Sequence, residues 1–184
     1  MRKVNNTDIN TPEYWNEHET AINLGLRQKK YIKLAGSGNR IVELGCGLSP
    51  FISKIKSFNE CYGVDFSPKT IETAAKQYPH VKYVLSDCTH TPFENKFFDV
   101  SVSGEVIEHL KNPKDLIAEM ARITKRRIIL STPRMEYDDA EHLWEFDEKD
   151  LIKMFSPYGN SKCERINSKW FPGRSYIFAV CDLF

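Results

Sequence analysis

A chain of 184 residues has the length of one domain and can bury enough apolar surface to need no disulfide staples. With 41% hydrophobic and 28% charged residues it reads as ordinary globular protein, which excludes a disordered or fibrous chain. Its 26 basic residues against 25 acidic ones leave a formal charge of +1, so the global basic footprint of a duplex-binding protein is absent. No apolar run approaches the roughly 20 residues of a membrane span, and Met1 to Asn6 lack the apolar core of a signal peptide. Five cysteines (Cys46, Cys61, Cys88, Cys163, Cys181) are scattered without a CxxC pair, and read as reduced thiols of a cytoplasmic protein.

In chain order, residues 8–35 predict one or two helices, with Tyr14, Trp15, Ile22, Leu24 and Tyr31 as apolar contacts. Ile41 to Leu44 read as a buried strand stopped by Gly45-Cys46-Gly47. Ser49-Pro50 then suits a helix start, with Phe51, Ile52, Ile55 and Phe58 on one face. The same grammar repeats. Residues 61–64 form a strand before Ser67-Pro68, which opens a helix with Ile71, Ala74, Ala75 and Tyr78 inward. Residues 81–85 and 97–102 are further strands. Asn112-Pro113 opens a helix with Leu116, Ile117, Met120 and Ile123 inward, and residues 127–131 give one more strand. Strands alternating with helices of about ten residues predict a doubly wound, mostly parallel sheet. Asp147 caps a helix carrying Leu151, Ile152 and Phe155. The runs at 161–167 and 174–182 are too closely linked for a crossover, so they predict an antiparallel pair.

In such a sheet, ligands bind beyond the carboxyl ends of the strands. The turn at 43–49, with Gly45 and Gly47, belongs there, and Asp65 follows 20 residues after Gly45, at the distance of a ribose-binding acid. This points to an adenosine-containing ligand. Pro50 stands where a dinucleotide motif wants its third glycine, and no P-loop is present. Glu43 would repel a pyrophosphate but welcome a cation. S-adenosylmethionine carries an ammonium and a sulfonium, and no phosphate.

From about residue 38 on, the chain resembles the class I S-adenosylmethionine-dependent methyltransferases. The resemblance rests on the glycine turn, Asp65, Ser86-Asp87, Phe98-Asp99-Val100, the run from Glu105 to Leu110, and Ser131-Thr132-Pro133, in order and at matching spacing. It implies a Rossmann-like α/β fold with a seven-stranded sheet whose last strand is antiparallel. It implies a single domain, 1–184, with a helical lid over 1–36 and a catalytic core over 37–184. It also implies cofactor contacts from Glu43, Gly45, Cys46, Gly47, Asp65, Phe66, Asp87, Cys88 and Glu105, with Asp87 near the adenine amine. Ser49, where the family most often has a third glycine, is a departure that would tighten the amino-acid pocket.

Glu105, Glu108 and His109 have the i, i+3, i+4 spacing of one helical face, and His142 follows the fifth core strand. Two carboxylates and two imidazoles are a ligand set for a divalent metal. The pattern resembles the Hen1-type RNA 3′-terminal ribose 2′-O-methyltransferases, in which it implies a metal at the terminal ribose hydroxyls. Many small-molecule methyltransferases carry a similar E-V-x-E-H without a known metal there, and the chain has little length for RNA-binding parts. The metal is therefore the second choice. In the first, Glu108, His109 and His142 shape the pocket, and one histidine serves as base. Tyr14, Trp15, Trp144, Trp170 and Phe171 are aromatic residues for pocket walls or for packing of peripheral helices. Arg27, Lys29, Lys30 and Lys33, and the run Lys125 to Arg127, read as solvated faces. The expectation is a methyltransferase of a small-molecule or saccharide-like acceptor. Its alternatives are the metal-assisted RNA enzyme and a non-catalytic adenosyl-ligand-binding protein. Nothing in the sequence selects an oligomeric state.

Overall fold

The computed structural model describes residues 1–3, 25–48, 51–55, 60–134, 142–167 and 175–184. The chain starts with strand β1 (Arg2–Lys3) and helix α1 (Gly25–Ala35). Then follow β2 (Arg40–Leu44), β3 (Glu60–Asp65), helix α2 (Pro68–Gln77), β4 (Lys82–Leu85) and β5 (Phe98–Gly104). Helix α3 (Pro113–Ile123) runs straight into β6 (Thr124–Arg134). The chain closes with β7 (Trp144–Glu145), α4 (Glu148–Phe155), β8 (Gly159–Asn167) and β9 (Ser175–Leu183).

One sheet holds seven strands in the order β4-β3-β2-β5-β6-β9-β8. β2 to β6 are parallel, and β9 runs antiparallel to both β6 and β8. The antiparallel pair expected from the closely linked C-terminal runs is therefore present as β8 and β9, and the antiparallel last strand implied by the resemblance is seated between β6 and β8. β1 and β7 form a separate antiparallel ribbon, with Arg2 opposite Glu145. Strand order reverses between β2 and β5, which puts the switch point at the glycine turn.

Local chemistry explains the helices. Ser67 caps α2 by accepting the Thr70 N–H, with Pro68 in the first turn. Asp147 and Asp150 cap α4 reciprocally, each side chain accepting the other's backbone N–H at 2.8 and 3.1 Å. Leu151 and Phe155 of α4 are buried, whereas Ile152 turns outward. The residues expected inward on α3, Leu116, Ile117, Met120 and Ile123, are all buried.

The sheet's two faces carry separate cores, because successive strand residues point to opposite sides. Val42, Leu44, Ile128, Leu130 and Ile177 pack with α3 and α4. Ile41, Val100, Val102, Ile129 and Phe178 pack with Tyr31 and Ala35 of α1 and with Phe51, Ile52 and Ile55. The helix expected after Ser49-Pro50 is, in the described residues, a single 3-10 turn, Ile52–Lys54. The Ile52 N–H goes to the Glu43 carboxylate and the Ile55 N–H reaches only to the Ile52 carbonyl. Phe58 and the Ser49-Pro50 pair lie outside the described residues, as do Tyr14, Trp15, Ile22, Leu24, Trp170 and Phe171. Among the described residues, no helix is long and apolar enough to cross a membrane.

Candidate active site at the carboxyl ends of the strands

The turn after β2 is built by backbone geometry that only glycine adopts freely. Gly45 has φ +70° and Gly47 φ +52°. The N–H groups of Gly45 and Cys46 both donate to the Val64 carbonyl at 2.9 Å, which clamps the turn to β3. A Cβ on Gly45 would lie 2.3 Å from Val106 Cγ2, so Val106 closes on the turn only because no side chain is there. Among the described residues, a Cβ on Gly47 would meet nothing within 4 Å. Within the described residues, the turn is thus packed at Gly45 and open at Gly47.

Three acids surround it. Asp65 ends β3 and is 9% exposed. Its carboxylate accepts the Gly47 N–H at 3.0 Å and the Ser67 N–H at 2.9 Å. Burial raises its pKa, against the lowering effect of backbone bonds from Ser67, Gly47 and Phe66. Glu43 is buried and accepts the Ile52 N–H at 3.3 Å. Burial pushes its pKa up to about 8, against the Ile52 bond, with the neighbouring charges of Glu105 and Asp65 adding to the rise. Among the described residues, neither Glu43 nor Asp65 has an ion-pair partner. Buried acids clustered without a cation suit a positively charged ligand. The residues present therefore fit the ammonium-bearing cofactor expected from the sequence.

Glu105 is the third acid, and it departs from the helical spacing expected of it. Its φ is +55°, a left-handed conformation that costs a non-glycine residue energy. Its N–H donates to the Ser131 carbonyl at 2.9 Å, and its Oε1 accepts from Ser131 Oγ at 3.1 Å. The following residues form a 3-10 turn, Ile107–His109, not an α-helix. Glu108 Oε2 accepts from Thr132 Oγ1 at 3.0 Å. Ser131 pairs across the sheet with Phe178 and Thr132 with Ile177, and those two lie in opposite cores. Successive residues of β6 thus pin the two glutamates to opposite faces of the sheet.

Glu108, His109 and His142 gather on the second of these faces, all buried, with one ligand atom of each within 4.8 Å of the others. His109 Nε2 lies 3.9 Å from Glu108 Oε1, and the two imidazole rings are 4.8 Å apart. His142 is brought in because the Leu143 N–H donates to the Glu108 carbonyl and Trp144 Nε1 to the Leu110 carbonyl. The four-residue set expected for a metal is therefore three residues, with Glu105 outside it. The cause is the left-handed turn at Glu105, which breaks the helical register.

The remaining expected cofactor residues line the neighbouring strand end. Phe66 is half-buried directly after Asp65. Asp87 is exposed, and its Oδ1 accepts both the N–H and the hydroxyl of Thr89 at 2.8 Å. Cys88 is buried, and burial pushes its thiol up to about 12. Burial also raises the Cys46 thiol well above its ordinary value, so neither is a ready nucleophile. All five cysteines are free. Three of the basic residues make ion pairs: Lys30 with Glu164, Lys125 with Asp99, and Arg127 with Asp182. Lys30 and Arg127 are partly buried, which departs from the solvated faces expected. Sequence reasoning passed over Gly104, where a Cβ would come 2.7 Å from the Tyr31 hydroxyl, and gave Tyr31 only an apolar role.

Residues 42–130 match a family model described as a methyltransferase domain. Over 125 residues, 61% of this chain and 34% of the other, the chain is 29% identical to a probable chloroplastic tocopherol O-methyltransferase of Oryza sativa subsp. japonica. Over 106 residues, 51% of this chain and 46% of the other, it is 29% identical to 2-phytyl-1,4-naphtoquinone methyltransferase of Trichormus variabilis. Phosphoethanolamine N-methyltransferase 2 of Haemonchus contortus, solved in complex with S-adenosyl-L-methionine, covers 94% of this chain and 57% of its own at TM-score 0.75. At 13% identity that is a likeness of fold. The chain spans between 34% and 46% of the length of these curated relatives. The matched segment runs from β2 into β6 and contains the glycine turn. The chain thus carries its match to a methyltransferase domain over residues 42–130, on the Rossmann-like fold of S-adenosylmethionine-dependent methyltransferases.

Proposed function

We propose that this chain binds S-adenosylmethionine at the glycine turn and catalyses transfer of its methyl group to a small-molecule acceptor. The observation that carries the reading is the glycine turn, with Gly47 bonded to Asp65 and Glu43 and Glu105 beside it. Glu43 and Glu105 offer carboxylates to the ammonium end, and Asp65 offers its carboxylate to the ribose hydroxyls. Asp87 and Cys88 flank the adenine, with Phe66 against its ring. When bound, the cofactor supplies a methyl group on a positively charged sulfur, open to in-line displacement.

The protein's share is to hold an acceptor atom in line and to take its proton. His109 and His142 are the groups for that proton, and Glu108 beside His109 accommodates the imidazolium that forms. The names of the curated relatives, with tocopherol and a naphthoquinone in them, favour a small organic acceptor. A saccharide-like acceptor also fits a base suited to hydroxyl groups. Calorimetric titration with S-adenosylhomocysteine tests the cofactor site. Saturable binding is expected, and no binding at millimolar ligand to folded protein would refute it. Release of S-adenosylhomocysteine with an acceptor pool then separates an enzyme from a non-catalytic binder.

A second reading has one observation in its favour: Glu108, His109 and His142 present a carboxylate and two imidazoles within 4.8 Å. Such a set could hold a divalent ion, which would lower the pKa of an acceptor hydroxyl. Metal analysis of protein purified without chelator, with His142→Ala as control, decides it. Stoichiometric metal lost in the variant supports the ion, and its absence removes it. The RNA-end reading would need that ion and salt-sensitive affinity for RNA.

A further inference from the structure

The carboxylate of Glu105 is held by a hydrogen-bond chain that begins in the N-terminal helix. Tyr31 of α1 is 4% exposed. Its hydroxyl donates to Ser131 Oγ at 2.5 Å, and Ser131 Oγ donates in turn to Glu105 Oε1 at 3.1 Å. A second approach, 3.4 Å to the Ser103 carbonyl, sets the phenol between the ends of β5 and β6. The fit depends on Gly104, since a Cβ there would sit 2.7 Å from the phenol oxygen. The missing side chain at Gly104 and the Ser131 hydroxyl thus meet one oxygen atom of α1, and the left-handed Glu105 joins it through Ser131.

The ring of Tyr31 is anchored independently of its hydroxyl. Its centroid lies 4.9 Å from Phe51, just after the glycine turn, and 4.9 Å from Phe178 of β9. Phe51 adjoins Ile52, whose N–H holds Glu43. Tyr31 therefore touches both sides of the acidic collar: the Glu43 side through its ring and the Glu105 side through its hydroxyl. Ser103 Oγ adds a bond to the Leu44 carbonyl at 2.9 Å, which locks β5 to the strand that ends in the glycine turn. A side chain used only for packing would not need Gly104 to admit its oxygen.

We propose that Tyr31 is a positioning residue: through Ser131 it aims the Glu105 carboxylate at the amino-acid end of the cofactor, coupling α1 to cofactor affinity. This rests on the reading that S-adenosylmethionine binds at the glycine turn. A hydroxyl relayed to a carboxylate excludes other orientations of that carboxylate and leaves its charge in place. Loss of the hydroxyl should then weaken recognition of the ammonium group and leave the nucleoside end untouched.

The test compares two ligands on the full chain. S-adenosylhomocysteine carries the amino-acid end, and 5′-methylthioadenosine lacks it. Tyr31→Phe keeps the ring between Phe51 and Phe178, and Ser131→Ala cuts the same chain at its middle. Each should raise the Kd for S-adenosylhomocysteine about fivefold to tenfold, with less than about a twofold change for 5′-methylthioadenosine. In a Glu105→Gln background, Tyr31→Phe should add almost nothing, because the group it positions is already altered. Melting curves of each variant establish that it is folded. Equal weakening of both ligands, or an undiminished Tyr31→Phe effect in the Glu105→Gln background, would make Tyr31 a packing residue and overturn the proposal. Unchanged affinity for both ligands would overturn it too. Wild-type protein that binds no S-adenosylhomocysteine would instead refute the cofactor reading, and the proposal with it.

Discussion

Two clusters of acids lie at the same end of this sheet and differ in what surrounds them. On the face shared with α1, Glu43, Asp65 and Glu105 crowd the glycine turn and accept hydrogen bonds from hydroxyls and backbone N–H groups. On the other face, Glu108 sits beside His109 and His142. Adjacent residues of β6, Ser131 and Thr132, hold one member of each cluster. The difference teaches a division of labour that sequence spacing hides. Acids clustered at the glycine turn suit a cationic ligand, while an acid beside imidazoles suits proton transfer. Three residues of separation in sequence become opposite sides of a sheet.

If that division holds, damage to one face should leave the other's property intact. The largest effect is expected from His109→Gln. Turnover should fall by about 10² to 10⁴, the usual contribution of a positioned base, with the Kd for S-adenosylhomocysteine unchanged. Steady-state release of S-adenosylhomocysteine alongside calorimetry reads both. A parallel loss of binding would mean that the faces are not independent.

The opposite variant is Gly45→Ala. Its Cβ would meet Val106 at 2.3 Å in a backbone with φ +70°, and the clash adds to the strain. Stability should fall by about 2–4 kcal/mol, with cofactor affinity lost alongside. Urea unfolding measures the first and titration the second. A wild-type midpoint would show that Val106 moves aside freely and that the turn is not packed as described.

The acids should also make binding depend on pH. The Glu43 carboxyl has a pKa of about 8 in the folded protein against 4.5 ordinarily, so the folded state holds more protons between those values. Stability of the ligand-free protein from this group therefore declines as pH rises through that window. A cation bound beside Glu43 favours the carboxylate, so affinity for S-adenosylhomocysteine should rise toward pH 8 with release of protons. Calorimetry in buffers of different ionisation enthalpy counts them. Proton uptake, or affinity flat from pH 6 to 8, would contradict a cationic ligand at Glu43. The smallest effect is expected at Asp87, which is exposed: Asp87→Ala should weaken binding about twofold to fivefold, through the adenine end alone.

The glycine turn was legible because its information is local. A strand, two glycines and an acid 20 residues on are contiguous signals, and the structure joins them through the Gly47 bond to Asp65. The alternation of strands and helices likewise foretold the parallel sheet, and the short link between the last runs foretold their antiparallel pairing as β8 and β9. Glu105 was misplaced because its spacing to Glu108 and His109 implied an α-helix. A left-handed residue followed by a 3-10 turn leaves no mark in such a pattern. Tyr31 looked like one more apolar contact, since its partner Ser131 lies 100 residues away. The hydroxyl's role depends on tertiary contacts that no local period records.

In the proposed function, cofactor binding and proton transfer belong to opposite faces of β6. The most direct test of this division is a crystal structure of the full chain with S-adenosylhomocysteine. The expected result is the ammonium group against Glu43 and Glu105, the ribose hydroxyls against Asp65, and no part of the ligand in contact with His142. Ligand density among Glu108, His109 and His142, or none at the glycine turn, would contradict it.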